Sequence, residues 1–162
     1  SIISTIENLD NILSLTDHQY ELIFVNDCST DESGEILKKY KNKIRLFEHE
    51  HNLGYGASLK TGVRAAQYNN IVITDADGTY PFDMIPGIIE KMNCNDMVVG
   101  ARIGVKVQIP LIRKPAKWFI NQLANYLSGT KIPDINSGLR AIKTNLVKKY
   151  IHLLKEVLPS SL

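Results

Sequence analysis

The 162-residue sequence predicts an α/β fold, a three-layer α/β/α sandwich on a mostly parallel central sheet. Apolar runs of strand length alternate with stretches whose apolar residues recur at helical spacing. Several of those runs end in acidic or glycine-marked turns, as strands do when their carboxyl ends line a ligand site. The length suits one domain, and 44% hydrophobic with 22% charged residues is a globular composition.

The elements follow in order. Ile2, Ile3, Ile6, Leu9, Ile12 and Leu13 share helical spacing, so the chain opens inside an amphipathic helix. Glu21–Val25 is a continuous apolar run that ends at Asn26-Asp27. A helix over Ser33–Tyr40 follows, with Asp31 or Ser33 as its N-cap, and then a short strand at Ile44–Phe47. Gly54–Tyr68 is Ala-rich and helical, and Asn70–Thr74 is a buried strand ending at Asp75. Met84–Met92 reads as helix, Met97–Gly100 as strand, and Trp118–Leu127 and Asn145–Leu154 as helices. No repeat, low-complexity tract or linker divides the chain, which predicts a single domain over 1–162.

Composition bounds the function. No apolar run reaches the ~18 residues that a membrane span needs. Two cysteines, Cys28 and Cys94, make neither a disulfide framework nor a zinc cluster, which fits a reducing, cytoplasmic setting. The net charge of +2 conceals an asymmetry: 8 Lys/Arg against 15 Asp/Glu before Gly100, and 11 against 2 from there on. An acidic front half is suited to cations, and a basic back half to phosphates or an anionic surface.

Three stretches can carry chemistry. In Asp75-Ala76-Asp77-Gly78, carboxylates at i and i+2 beyond a buried strand converge on one point if the strand breaks at Gly78. Such oxygen ligands suit Mg²⁺ or Mn²⁺, which bind through one or two carboxylates plus substrate phosphates. Asn26-Asp27-Cys28-Ser29-Thr30-Asp31 offers carboxylates able to accept from a nucleobase and a ribose, or simply a helix-capping turn. His51-Asn52-Leu53-Gly54-Tyr55-Gly56, running into Lys60 and Gly62, permits a tight turn and close backbone approach to an anion. It is neither a dinucleotide fingerprint nor a Walker loop. His18, His49, His51 and His152 show no ligand spacing and receive no role.

Together these stretches resemble the family 2 glycosyltransferases of the GT-A (Rossmann-like) fold, above all the dolichyl-phosphate mannosyltransferase and polyprenyl-phosphate glycosyltransferase branch. Asn26–Asp31 is similar to the family's nucleotide-binding Asp-Asp-x-Ser-x-Asp, with Asn first, and His51–Ala57 to its Asn-x-Gly-x-Gly-x-Ala helix start. Asp75-Ala76-Asp77 is similar to its metal-binding D-x-D. Val99-Gly100-Ala101-Arg102 and Asp134-Ile135-Asn136-Ser137-Gly138-Leu139-Arg140 are similar to its Val-Gly-Ser-Arg and Asp-x-x-Ser-Gly-Phe-Arg. The family begins with a strand ending in Pro-x-Tyr-Asn-Glu, whereas this chain starts at Ser1 inside the following helix, so a domain lacking its first strand is expected.

The resemblance implies an inverting, metal-dependent transfer from a nucleoside diphosphate sugar to a polyprenyl phosphate. Asp75 and Asp77 would hold the metal and act catalytically. Asp27, Ser29, Asp31, Gly54, Gly56, Lys60, Asp75 and Ala76 would bind the donor, with the base, uracil or guanine, left open. Arg102, Arg113, Lys117, Ser137 and Arg140 would hold the acceptor phosphate. An anionic acceptor oxygen needs no strong base; a sugar hydroxyl on a glycan would, and Asp134 is the acid available to that alternative. The implied setting is cytoplasmic, at a membrane face, with no nucleic acid. A truncated domain with only a binding role is a second alternative. A third is a haloacid-dehalogenase-like phosphatase, with Asp75 as nucleophile, but this chain has no later acidic pair and carries the motif far from its start.

Overall fold

The computed structural model describes residues 2–78, 80–100 and 138–153. Helix α1 (Ile2–Ser14) leads to strand β1 (Ile23–Asn26), helix α2 (Ser33–Lys39) and strand β2 (Arg45–Glu48). Helix α3 (Tyr55–Ala65) precedes strand β3 (Asn70–Ile73), and a 3-10 turn at Phe82–Met84 leads into helix α4 (Ile85–Lys91). Strand β4 (Met97–Val99), strand β5 (Arg140–Lys143) and helix α5 (Thr144–Tyr150) complete the described order. The predicted helix Trp118–Leu127 lies outside the described residues, as do Arg102, Arg113, Lys117, Asp134 and Ser137.

Among the described residues the strands form two sheets. β1 and β2 pair in parallel, Ile23 opposite Arg45 through Asn26 opposite Glu48. β5 lies antiparallel between β3 and β4, so those two run parallel to each other. The sequence analysis placed no strand at 140–143. Arg-Ala-Ile-Lys is too short and too charged at its ends to read as an apolar run, yet Ala141 is fully buried between its neighbours.

The core explains the opening helix. Thr5, Ile6, Leu9 and Leu13 form its buried stripe, against α2 and the Phe82–Met84 turn. Leu22, Leu37, Ile44, Phe82, Ile85, Ile88, Met92 and Leu139 fill the same core. Lys43 Nζ on Asp10 at 2.6 Å and Tyr20 Oη on Asp10 at 2.9 Å pin the helix's outer face. Those two bonds, Lys43 first, hold the Asp10 carboxyl below its ordinary value. Ahead of β3, Thr144 Oγ1 donates to Tyr68 O and Lys148 Nζ to Ala66 O, fastening α5 to the turn that enters the strand.

Candidate active site

The loop after β1 is built around its first residue. Asn26 is buried, and its Oδ1 accepts from Ser29 N–H at 3.0 Å, closing a turn in which Cys28 takes a left-handed φ of 58°. Ser29 and Asp31 emerge exposed from that turn. Asp31 Oδ1 accepts from Ser33 N–H at 3.0 Å, but the N-cap position of α2 is Glu32, not Asp31 or Ser33 as predicted, and it makes no side-chain capping bond; the Ser33 hydroxyl and N–H hold the Asp31 carboxyl below the ordinary value.

Asp27 faces the other way. Its Oδ1 accepts from Leu53 N–H at 2.9 Å and from His49 Nδ1 at 2.7 Å, and its Oδ2 accepts from Gly54 N–H at 2.7 Å. Burial pushes this carboxyl up, but the bonds from Leu53, His49 and Gly54 outweigh it and hold it low. Asp27 therefore joins the two motifs that the sequence places 27 residues apart. Gly54 makes the join possible: with φ 85° and ψ 168° it occupies backbone space essentially reserved for glycine, and it turns the chain into α3. Gly56 follows in the first turn of α3, and Lys60 lies further along the same helix.

The D-x-D stretch hangs from the end of β3. Thr5 Oγ1 donates to Ala76 O at 3.0 Å, so the buried stripe of α1 anchors this loop directly. Asp75 is half-buried and Asp77 exposed. Against Asp75 stands Gly138, whose backbone N–H donates to Tyr80 Oη. A Cβ at Gly138 would overlap Asp75 Oδ2 and lie 2.8 Å from Tyr80 Cε2, so a side chain here would have to displace the Asp75 carboxylate or the buried Tyr80 ring. The β5 register then sets Arg140 opposite Ile73, two residues before Asp75, and opposite Val99, next to Gly100. Gly100 N–H donates to Leu139 O at 2.9 Å, which closes this corner.

Tyr55 completes the rim. Partial burial and then the Asp75 charge raise its hydroxyl above the ordinary value, Arg140 pulls the other way, and Tyr80 adds a smaller push upward. The group thus senses Asp75, Arg140 and Tyr80 at once while its side chain stays 57% exposed. Thr5, His49, Tyr55 and Tyr80 were assigned nothing by the sequence reading. Tyr55 had a signal, a large aromatic between two motif glycines; His49 had none, since its partner Asp27 is 22 residues away.

Two carboxylates that follow β3, with Arg140 entering the antiparallel strand beside it, can take a cation and a phosphate together. Among the described residues no group of three or more His, Cys, Asp or Glu is placed to hold a metal ion. The family model for "Glycosyl transferase family 2" matches residues 4–151. The chain belongs to glycosyl transferase family 2. A dolichyl-phosphate hexose transferase of Haloferax volcanii is 31% identical over 141 residues, covering 86% of this chain and 60% of that protein. A dodecaprenyl-phosphate galacturonate synthase of Rhizobium johnstonii is 28% identical over 82% of this chain and 40% of its own length. The chain thus spans 60% or less of these two relatives.

Among solved structures, glucosyl-3-phosphoglycerate synthase of Mycobacterium tuberculosis with UDP superposes with a TM-score of 0.65 at 20% identity, over 89% of this chain and 53% of that one. A Pyrobaculum calidifontis mannosyltransferase bound to GDP-Man and Mn²⁺ gives a TM-score of 0.58 at 19% identity, over 90% and 42%. These likenesses show that the family 2 chain has the GT-A fold. No helix among the described residues is long and apolar enough to cross a membrane.

Proposed function

We propose that this family 2 domain transfers a sugar, with inversion, from a nucleoside diphosphate sugar to a polyprenyl phosphate. The observation that carries the reading is the packing of Gly138 against Asp75 at the end of β3, with Arg140 opposite Ile73 and the charges of both Asp75 and Arg140 acting on Tyr55. The acceptors named for the Haloferax and Rhizobium relatives supply the substrate class.

Asp75 and Asp77 have the oxygen donors that Mg²⁺ or Mn²⁺ prefers, and would hold such an ion. When bound, the ion supplies charge neutralisation for the departing nucleoside diphosphate. The chain's own residues do the rest. Asp27 and Asp31 accept from the nucleoside, with Ser29 beside them. Gly54, Gly56 and Lys60 let the sugar diphosphate approach α3. Arg140 takes the acceptor phosphate through its guanidinium fork and aims an already anionic oxygen at the anomeric carbon, so no side chain need remove a proton. Arg102, Arg113, Lys117 and Ser137 are proposed to extend that phosphate cradle, and Asp134 to act as base only if the acceptor were a glycan hydroxyl. The lipid tail of the acceptor would bring this rim to a cytoplasmic membrane face as a peripheral contact.

The test is sugar transfer to short-chain polyprenyl phosphate in the presence of Mn²⁺. Asp77→Ala and Arg140→Ala should each lower turnover by roughly a hundredfold or more, the range for loss of a group acting at the reacting phosphates. Undiminished turnover in either variant would remove that residue from the mechanism. Transfer to glycan hydroxyls but not to lipid phosphate would replace the acceptor.

A further inference from the structure

The acceptor capacity of Asp27 is nearly exhausted. An ionised carboxylate offers about four lone-pair sites and no proton. Oδ1 accepts from Leu53 N–H and His49 Nδ1, and Oδ2 accepts from Gly54 N–H. Because the carboxylate cannot donate, Nδ1 of His49 carries the proton. In the neutral ring Nε2 then accepts from the Thr61 hydroxyl at 2.8 Å. The His49 side chain is only 11% exposed, wedged between the β1 loop and α3. Asp27, at 19% exposed, keeps one acceptor site, on Oδ2.

We infer that Asp27 reads a base presenting a single N–H, and that the donor is therefore a uridine rather than a guanosine diphosphate sugar, with His49 as the positioning residue that enforces the choice. This rests on the proposed role of Asp27 in holding the nucleoside. Guanine presents N1–H and the 2-amino group side by side, and pairing both needs two acceptor sites on one carboxylate. Oδ1 has none to give, so one guanine donor would go without its partner on this carboxylate, at a loss of roughly tenfold in affinity. Uracil presents one imide N–H between two carbonyls, and one acceptor satisfies it. His49 keeps Oδ1 occupied: a side chain without a donor there would free that oxygen to turn toward a ligand.

The experiment is titration of the full chain with UDP, GDP and inosine diphosphate at one Mn²⁺ concentration, for the wild type, His49→Leu and His49→Asn. UDP should bind at least about tenfold tighter than GDP, the preference should shrink in His49→Leu, and His49→Asn, which restores an N–H near Nδ1, should recover it. Inosine diphosphate, which lacks the 2-amino group, should bind the wild type more tightly than GDP. That comparison needs no variant and stands even if His49→Leu does not fold. Binding of GDP as tight as UDP, or tighter, would overturn the inference while leaving the nucleotide site intact. Inosine diphosphate binding no more tightly than GDP would also overturn it. An unchanged preference in folded His49→Leu would overturn the role of His49. Failure of all three nucleotides to bind would overturn both this inference and the donor-site reading beneath it.

Discussion

At Gly138 the backbone passes so close to the Asp75 carboxylate that one methyl group decides whether the rim can form. The Asp75 carboxylate could swing aside only by leaving its place on the rim, and the Tyr80 ring edge is buried and held by the Gly138 N–H bond to its hydroxyl. Gly138→Ala should destabilise by about 1–3 kcal/mol, the range for overpacking, and lower transfer further by displacing Asp75; denaturant melts and turnover measure the two effects separately. Asp27 makes a prediction with a sign. Its carboxyl is held below the ordinary value of about 3.9, so its contribution to stability is full above that pH and drains as pH falls through the depressed value. Asp27→Asn should cost about 1–3 kcal/mol at neutral pH, and the gap from wild type should close in acid, as urea melts stepped downward from pH 5 would record. None of these contacts was visible in the sequence. The motifs were legible as words in order, but the bonds joining Asp27 to His49 or Gly138 to Tyr80 span 22 and 58 residues, where no local period operates.

Among the elements, α1 does more than cover the sheet. Its buried face holds Ile6, fully shielded from solvent, next to Thr5, whose hydroxyl fixes the carbonyl of Ala76. The two neighbours should separate in their effects. Ile6→Ala should cost about 2–5 kcal/mol of stability by opening a cavity. Thr5→Val should cost only about 1 kcal/mol yet weaken Mn²⁺-dependent nucleotide binding, because it frees the loop between Asp75 and Asp77. Calorimetric unfolding and metal titration would distinguish them. This helix was legible from the spacing of Ile6, Leu9 and Leu13, and β1 to β4 from their apolar runs. β5 was not: four residues that begin at Arg140 and end at Lys143 carry too little period-two signal, and its place between β3 and β4 is decided by pairing with strands more than 40 residues earlier.

Across the molecule the charge asymmetry and the geometry agree on one division of labour. In the proposed site the acidic half would contribute Asp27, Asp75 and Asp77, and Arg140, the one arginine of the basic half among the described residues, lies in β5 opposite Ile73, two residues before Asp75. The central claim is that this rim binds a nucleoside diphosphate through a divalent ion. The most direct measurement is the melting temperature of the chain with UDP, with and without Mn²⁺, for the wild type and Asp77→Ala. Saturation at a hundred times the dissociation constant should add about 2.7 kcal/mol, roughly 5–10 °C for a domain of this size. That rise should appear only with both ligands present and be lost in Asp77→Ala. An equal rise without Mn²⁺, or one that survives Asp77→Ala, would contradict it.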